Sequence, residues 1–200
     1  MTILTDADVD LFNAKQSTKD FEGFRDTVYK DTKGKNTIGY GFNIDDPTVS
    51  QHIPTAVKLR LRKITKEESD KIFDVLYDNA KKDVVTFIGE DVFNSLNPKA
   101  KNVLTDMSYN MGLKKLSGFK KMKAAIHSGD MESAAEEMKN SKWFGQVGNR
   151  SKKHYETMRG LSITPAVNIP DDFKSAFKDA RRQGVKEFVY KGKKYTTEVK

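Results

Sequence analysis

Residues 22–42 read EGFRDTVYKDTKGKNTIGYGF, and the class of fold turns on this stretch. Before it, about Asp6 to Phe21 reads as a helix, with Leu11, Phe12, Ala14 and Phe21 as its apolar candidates. Thr5 is placed as an N-cap, Asp8 lies in the first turn, and Gly23 ends the helix just after Glu22. From Val28 to Phe42 the character changes. β-Branched and aromatic residues alternate with Lys, Asp, Gly and Asn, Lys33-Gly34-Lys35-Asn36 reads as a turn, and Gly39 and Gly41 sit inside a strand-like run. A small twisted hairpin or three-stranded sheet follows, punctuated by Asp45-Asp46-Pro47.

Downstream the period is helical for most of the chain. Thr65 and Glu68 form a capping box, after which Ile72, Phe73, Leu76, Ala80 and Val84 share one face of a long helix. Asn97-Pro98 opens a central core helix with Ala100, Val103, Leu104, Met107 and Met111 on one face and Gly112 as its stop. Phe119, Met122 and Ile126 belong to a shorter helix ending at Ser128-Gly129. Asp130 caps the next, which turns Met131, Ala134, Ala135 and Met138 inward, and Asn149 caps another that ends at Gly160. Residues 161–170 read as a linker, Asp171 to Arg182 as a helix, and Glu187–Tyr190 with Tyr195–Val199 as a hairpin.

Composition limits the function. The 200 residues carry a net charge of +8, 36% hydrophobic residues and no cysteine. This excludes disulfides, thiolate metal sites and cysteine nucleophiles. No apolar run approaches the ~20 residues of a membrane span. Asp6, Asp8 and Asp10 stand where a secretory leader would be basic and then apolar, so no signal peptide is expected. His52, His127 and His154 are too scattered for a metal site, and no cofactor is expected. The charge is unevenly spread. Lys and Arg number 14 against 17 acids in residues 1–98, 13 against 6 in 99–160, and 9 against 5 in 161–200. An acidic front half and a basic back half point to an anionic partner: nucleic acid, a membrane surface or the cell wall.

The residues able to carry chemistry are Glu22, Asp31 and Thr37. Glu22 falls at the last turn of a helix, where the negative end of the dipole raises a carboxyl's pKa, as a general acid requires. Asp31 and Thr37 flank the Lys33–Asn36 turn, so a hairpin brings them together. Two carboxyls in contrasting surroundings, with a hydroxyl to help hold a water, are the working parts of glycoside hydrolysis. Spacing alone also fits two solvated surface acids.

The flanks decide between these readings. Glu22-Gly23-Phe24-Arg25, Tyr29-Lys30-Asp31-Thr32-Lys33-Gly34 and Thr37-Ile38-Gly39-Tyr40-Gly41 resemble the phage-type lysozyme (endolysin) family of glycoside hydrolases, in the pattern of its T-even phage members. Ile64–Glu68, Met107–Gly112, Gly118-Phe119, Ala134-Ala135, Ser141–Phe144 and Asn149-Arg150 continue the match in order, over roughly residues 12–160. The resemblance implies an α+β, mainly helical, two-lobed fold: a small N-terminal antiparallel β-sheet, a long inter-lobe helix and a helical C-terminal lobe. It divides the chain into a catalytic domain over 1–160 (N-lobe about 1–64, helix about 65–88, C-lobe about 89–160), a linker over 161–170 and a small basic helix–hairpin appendage over 171–200. It also implies a muramidase that cleaves the β-1,4 bond between N-acetylmuramic acid and N-acetylglucosamine, with inversion. Glu22 takes the role of acid, Asp31 of base or electrostatic partner, and Thr37 of water-orienting group. Tyr109, Asn110 and Arg150 fall where the family meets substrate, Arg150 near the acid. Phe42 and Leu76 stand where T-even members pair a His with an Asp, so an apolar contact is expected there.

The partner implied is bacterial peptidoglycan, met by a monomer without nucleic acid. A free lysin would be made in the host cytoplasm and reach the wall through a separate pore; a virion-associated lysozyme is the alternative. A non-catalytic wall-binding module on a lysozyme scaffold is a further reading, supported by the basic back half. Trp143-Phe144 is either a sugar-stacking platform or core filling. The Lys120, Lys121, Lys123 and Lys152, Lys153 runs are solvated faces that could also hold anionic wall polymers.

Overall fold

The computed structural model describes residues 6–161, 180, 185, 187–190 and 193–196. In chain order these form α1 (Asp6–Glu22), β1 (Arg25–Lys30), β2 (Asn36–Gly39), β3 (Phe42–Asn43), α2 (Pro47–Ser50), α3 (Thr55–Lys58), α4 (Lys66–Ile88), α5 (Glu90–Ser95), α6 (Pro98–Met111), α7 (Leu113–Leu116), α8 (Lys120–Ser128), α9 (Met131–Lys139), α10 (Lys142–Val147), α11 (Asn149–Arg159), β4 (Glu187–Tyr190) and β5 (Lys193–Thr196). The fold is α+β and mainly helical, with the small antiparallel sheet near the N-terminus. Two compact units interleave along the chain. One is drawn from Met1–Phe87 and Pro98–Gly118, the other from Ile88–Asn97 and Phe119–Lys200.

In the first unit the sheet order is β1-β2-β3. Register places Tyr29 opposite Thr37, Lys30 opposite Asn36, and Ile38 opposite Phe42, with an irregularity in β1 between Arg25 and Tyr29. The sheet turns Ile38, Tyr40 and Phe42 onto Ile72, Phe73 and Tyr77 of α4, with Ile53, Val57 and Ile64 completing the core. The capping box holds: Glu68 N–H donates to Thr65 Oγ1 at 3.1 Å, and Thr65 N–H donates to Glu68 at 3.0 Å. Phe42 is buried and Leu76 packs against the same core, the apolar surroundings expected at those positions.

The apolar face expected of α1 is not the buried one. Leu11, Phe12 and Phe21 are exposed. What α1 hides is Thr18, whose hydroxyl donates to the buried Asp106 of α6. Lys15 and Lys19, one turn apart, reach Asp74 and Asp70 at 2.9 and 2.5 Å. Their ammonium groups lie over the rings of Tyr77 and Phe73 at 5.6 and 4.9 Å. The helix docks through lysine stems and ion pairs over aromatic rings, which a hydrophobicity pattern cannot register.

In the second unit α9 packs between α8 and α11. Its small Ala134 and Ala135 are fully buried beside Met122, Ile126, Met131, Met138 and Met158. Asp130 accepts the Ser133 N–H at 2.9 Å, as a cap should, and Gly129 ends α8 in the left-handed conformation. Gly148, rather than Asn149, occupies the N-cap of α11. Trp143 is buried and stacks on His154 with 6° between the planes, while Phe144 meets Tyr155 edge-on. Trp143 fills core, while Phe144 is half-buried. The hairpin is present, but β5 begins at Lys193, opposite Tyr190, two residues earlier than the alternation suggested. The expected linker and the body of the expected helix at 171–182 lie outside the described residues.

Candidate active site

Glu22, Asp31 and Thr37 all belong to the first unit, Glu22 at the end of α1, Asp31 just after β1 and Thr37 in β2. Gly39 and Gly41 have φ of +64° and +79°, conformations in which a side chain is strained. At Gly41 the second reason is space: a Cβ there would stand 3.2 Å from Glu22 Oε2. The half-buried carboxylate at the end of α1 therefore lies against the backbone of the β2–β3 turn.

Asp31 is held by its own turn. Its Oδ1 accepts the backbone N–H groups of Lys33 and Lys35, each at 2.8 Å, and its own N–H donates to the Lys35 carbonyl at 3.0 Å. An Asx turn of this kind fixes the carboxylate through Oδ1 and leaves Oδ2 outside these two bonds. Thr37 is buried in β2, and its hydroxyl donates to the Lys35 carbonyl at 3.2 Å. With its proton so placed, Oγ1 has lone pairs left to accept from a water.

Tyr29 is a neighbour of Thr37 in the sheet. Burial pushes its phenol pKa up, the Arg25 guanidinium opposes this, and the charges of Glu22 and Asp31 both add to the rise. Arg25 lies over the Tyr29 ring at 4.3 Å. Neither Tyr29 nor Arg25 is singled out by sequence. The signal available was the turn: counting outward from Lys30 and Asn36 makes Tyr29 and Thr37 neighbours.

Tyr109 is half-buried on α6, with its ring 5.2 Å from Phe73 and 6.2 Å from Tyr77, and Asn110 is exposed in the last turn of that helix. Both lie in the first unit. Arg150 is buried in α11 of the second unit. Among the described residues no group of three or more His, Asp or Glu is placed to hold a metal ion.

The phage lysozyme family model matches residues 19–161, a span that contains every one of these residues. The chain belongs to the phage lysozyme family. It is thereby a glycoside hydrolase of the peptidoglycan-degrading kind. Two relatives from Dictyostelium discoideum agree. "Probable T4-type lysozyme 2" is 31% identical over 153 residues, covering 70% of this chain and 89% of the relative, and "Probable T4-type lysozyme 1" is 29% identical over 151 residues with the same coverage. The pre-baseplate central spike protein Gp5 of Enterobacteria phage T4 is 27% identical over 163 residues, 76% of this chain but 28% of that much longer protein. The lysozyme match stops at 161, where the sequence reading placed the start of a linker. No described helix is long and apolar enough to cross a membrane.

Proposed function

We propose that the protein is a muramidase that cleaves the β-1,4 bond between N-acetylmuramic acid and N-acetylglucosamine. The observation that supports this reading is local: Asp31 and Thr37 flank one turn of the small sheet, and the Glu22 carboxylate lies against Gly41 in the next turn. Glu22 protonates the glycosidic oxygen as general acid. Asp31, with Oδ1 tied to two backbone N–H groups, offers Oδ2 to a water as base or electrostatic partner. Thr37 accepts from the same water and orients it, giving inversion at the anomeric carbon. Tyr109, Asn110 and Arg150 contact substrate. In this reading residues 1–160 are the catalytic domain, 161–170 a linker and 171–200 a basic appendage, and the protein works as a monomer.

The test is release of soluble muropeptides from purified peptidoglycan. Glu22→Gln is expected to lose at least ~10²-fold in rate, the scale of general-acid catalysis. Asp31→Asn keeps an Oδ1 acceptor for the turn and removes only the charge, so it separates chemistry from folding. Equal rates for wild type and Glu22→Gln would end the assignment of Glu22. Proton NMR of the first product formed reads the anomeric outcome.

The biological setting we propose is lysis of a bacterial host by a phage, with the enzyme made in the cytoplasm and reaching the wall through a separate pore. The likeness to a central spike protein supports a second setting, wall penetration by a virion-associated lysozyme. Mass spectrometry of purified particles distinguishes them: the chain is absent in the first case and present in the second.

A further inference from the structure

Residues 58–63 read KLRLRK and connect α3 to the residues leading into α4. Two features separate this loop from an ordinary solvated one. Leu59 and Leu61 are 63% and 76% exposed, while the basic residues alternate with them. Arg60, between the leucines, has φ +60°, a left-handed conformation uncommon for a residue with a Cβ. Beside the loop is a cavity of ≈ 220 Å³ lined by Arg60, Arg62 and Lys63 together with Thr27, Val28 and Val57.

The charges are partly answered within the protein. Arg62 makes a two-point contact with Glu68 at 2.8 and 2.6 Å, and Lys63 pairs with Asp26 at 2.8 Å. These contacts anchor the loop to α4 and β1. Lys58 donates to the Ser50 carbonyl at 3.1 Å, and Arg60 reaches Asn36 at 3.4 Å, so neither has an acidic partner among the described residues. The loop keeps an excess of positive charge next to a partly aliphatic cavity, with two leucines standing in water.

We propose that the Lys58–Lys63 loop docks on a bilayer containing anionic phospholipid. Lipid phosphates meet Arg60 and Lys58, and Leu59 and Leu61 enter the boundary between headgroups and acyl chains. An acidic wall peptide or polymer would satisfy the cations equally well but leave both leucines hydrated. The leucines therefore favour a lipid surface. The loop and its cavity include none of Glu22, Asp31 and Thr37, and the proposal does not depend on how they act.

The full-length protein is mixed with vesicles of phosphatidylcholine, with and without phosphatidylglycerol, and bound protein is measured by sedimentation. Binding to the anionic vesicles alone is expected. Arg60→Gln should weaken it ~5-fold, the usual value of one cation at such a surface. Leu59→Ser with Leu61→Ser should weaken it ~10-fold or more. Both variants should release muropeptides at the wild-type rate. As a check independent of those losses, Leu61→Trp adds an exposed reporter to a chain whose single tryptophan, Trp143, is buried. Its emission should shift to the blue on anionic vesicles alone. The proposal is overturned by no difference between the two vesicle types, by binding that survives the paired leucine substitution, or by a loss in that variant of binding to purified peptidoglycan instead.

Discussion

A methyl group at Gly39 has no room. A Cβ there would lie 2.6 and 2.7 Å from Phe42 Cε2 and Cδ2 and 3.0 Å from Ser69 Oγ. Phe42 is 2% exposed, part of the first unit's core, and cannot swing away into water. The backbone adds a separate cost, because φ is +64°. Placing an L side chain in the left-handed region costs ~1–2 kcal/mol. Forcing a packed core ring aside costs a further ~1–3 kcal/mol. Gly39→Ala should therefore destabilise by about 2–5 kcal/mol, and at ~2–4 °C per kcal/mol for a chain of this size the Tm should fall by roughly 4–20 °C. Thermal melts followed by circular dichroism measure this. The two contributions can be separated. In a Phe42→Leu background the ring is gone, and the same glycine substitution should cost only the backbone share, leaving a coupling of about 1 kcal/mol or more in a double-mutant cycle. A Tm within ~2 °C of wild type, or an undiminished cost in the Phe42→Leu background, would refute the reasoning.

Three further outcomes follow from the same unit. Thr37→Val keeps the side-chain shape in β2 but removes the hydroxyl, so muropeptide release should fall by ~10-fold or more while Tm changes little; an unchanged rate would remove Thr37 from the chemistry. The Arg62 guanidinium holds Glu68 down at about 2, so its contribution to stability is present above the ordinary value of 4.5 and is lost as pH falls through about 2. The Tm difference between wild type and Glu68→Gln should shrink over that window and be constant from pH 5 to 7. Burial and the hydrogen bond to Asp70 push the Tyr40 phenol from 10.0 up to about 12, so the fold favours the neutral form; its contribution is whole below pH 10 and lost as pH rises through about 12. An ultraviolet titration should show one tyrosine ionising near that value, and Tyr40→Phe should abolish the step.

The proposed triplet could be read from the sequence because it is local. Glu22, Asp31 and Thr37 span one helix end and one hairpin, and the glycines, the turn and the strand alternation between them leave few other arrangements. The long helix was legible for a similar reason. Its start is written in Thr65 and Glu68, which bond to each other three residues apart, and its buried face repeats at the helical period. Tyr29 was missed because its importance is a matter of register. Which residue a strand tyrosine opposes depends on the pairing and on the irregularity between Arg25 and Tyr29.

By itself the sequence determined the longer helices and the N-terminal sheet, the caps at Thr65 and Asp130, the absence of thiol chemistry and the candidate acid, base and hydroxyl. These depend on backbone preference, short-range hydrogen bonds and composition, which act over a few residues. Only the tertiary structure decided which face of α1 is buried. Thr18 meets Asp106, and Lys15 and Lys19 meet Asp74 and Asp70, across sequence separations of 88, 59 and 51 residues. A hydrophobic pattern ranks lysine as outside and phenylalanine as inside. Here the ammonium groups are matched by carboxylates and aromatic faces while Leu11 and Phe12 stay in water. Burial follows the partners that the fold supplies to a side chain, and those partners are remote in sequence.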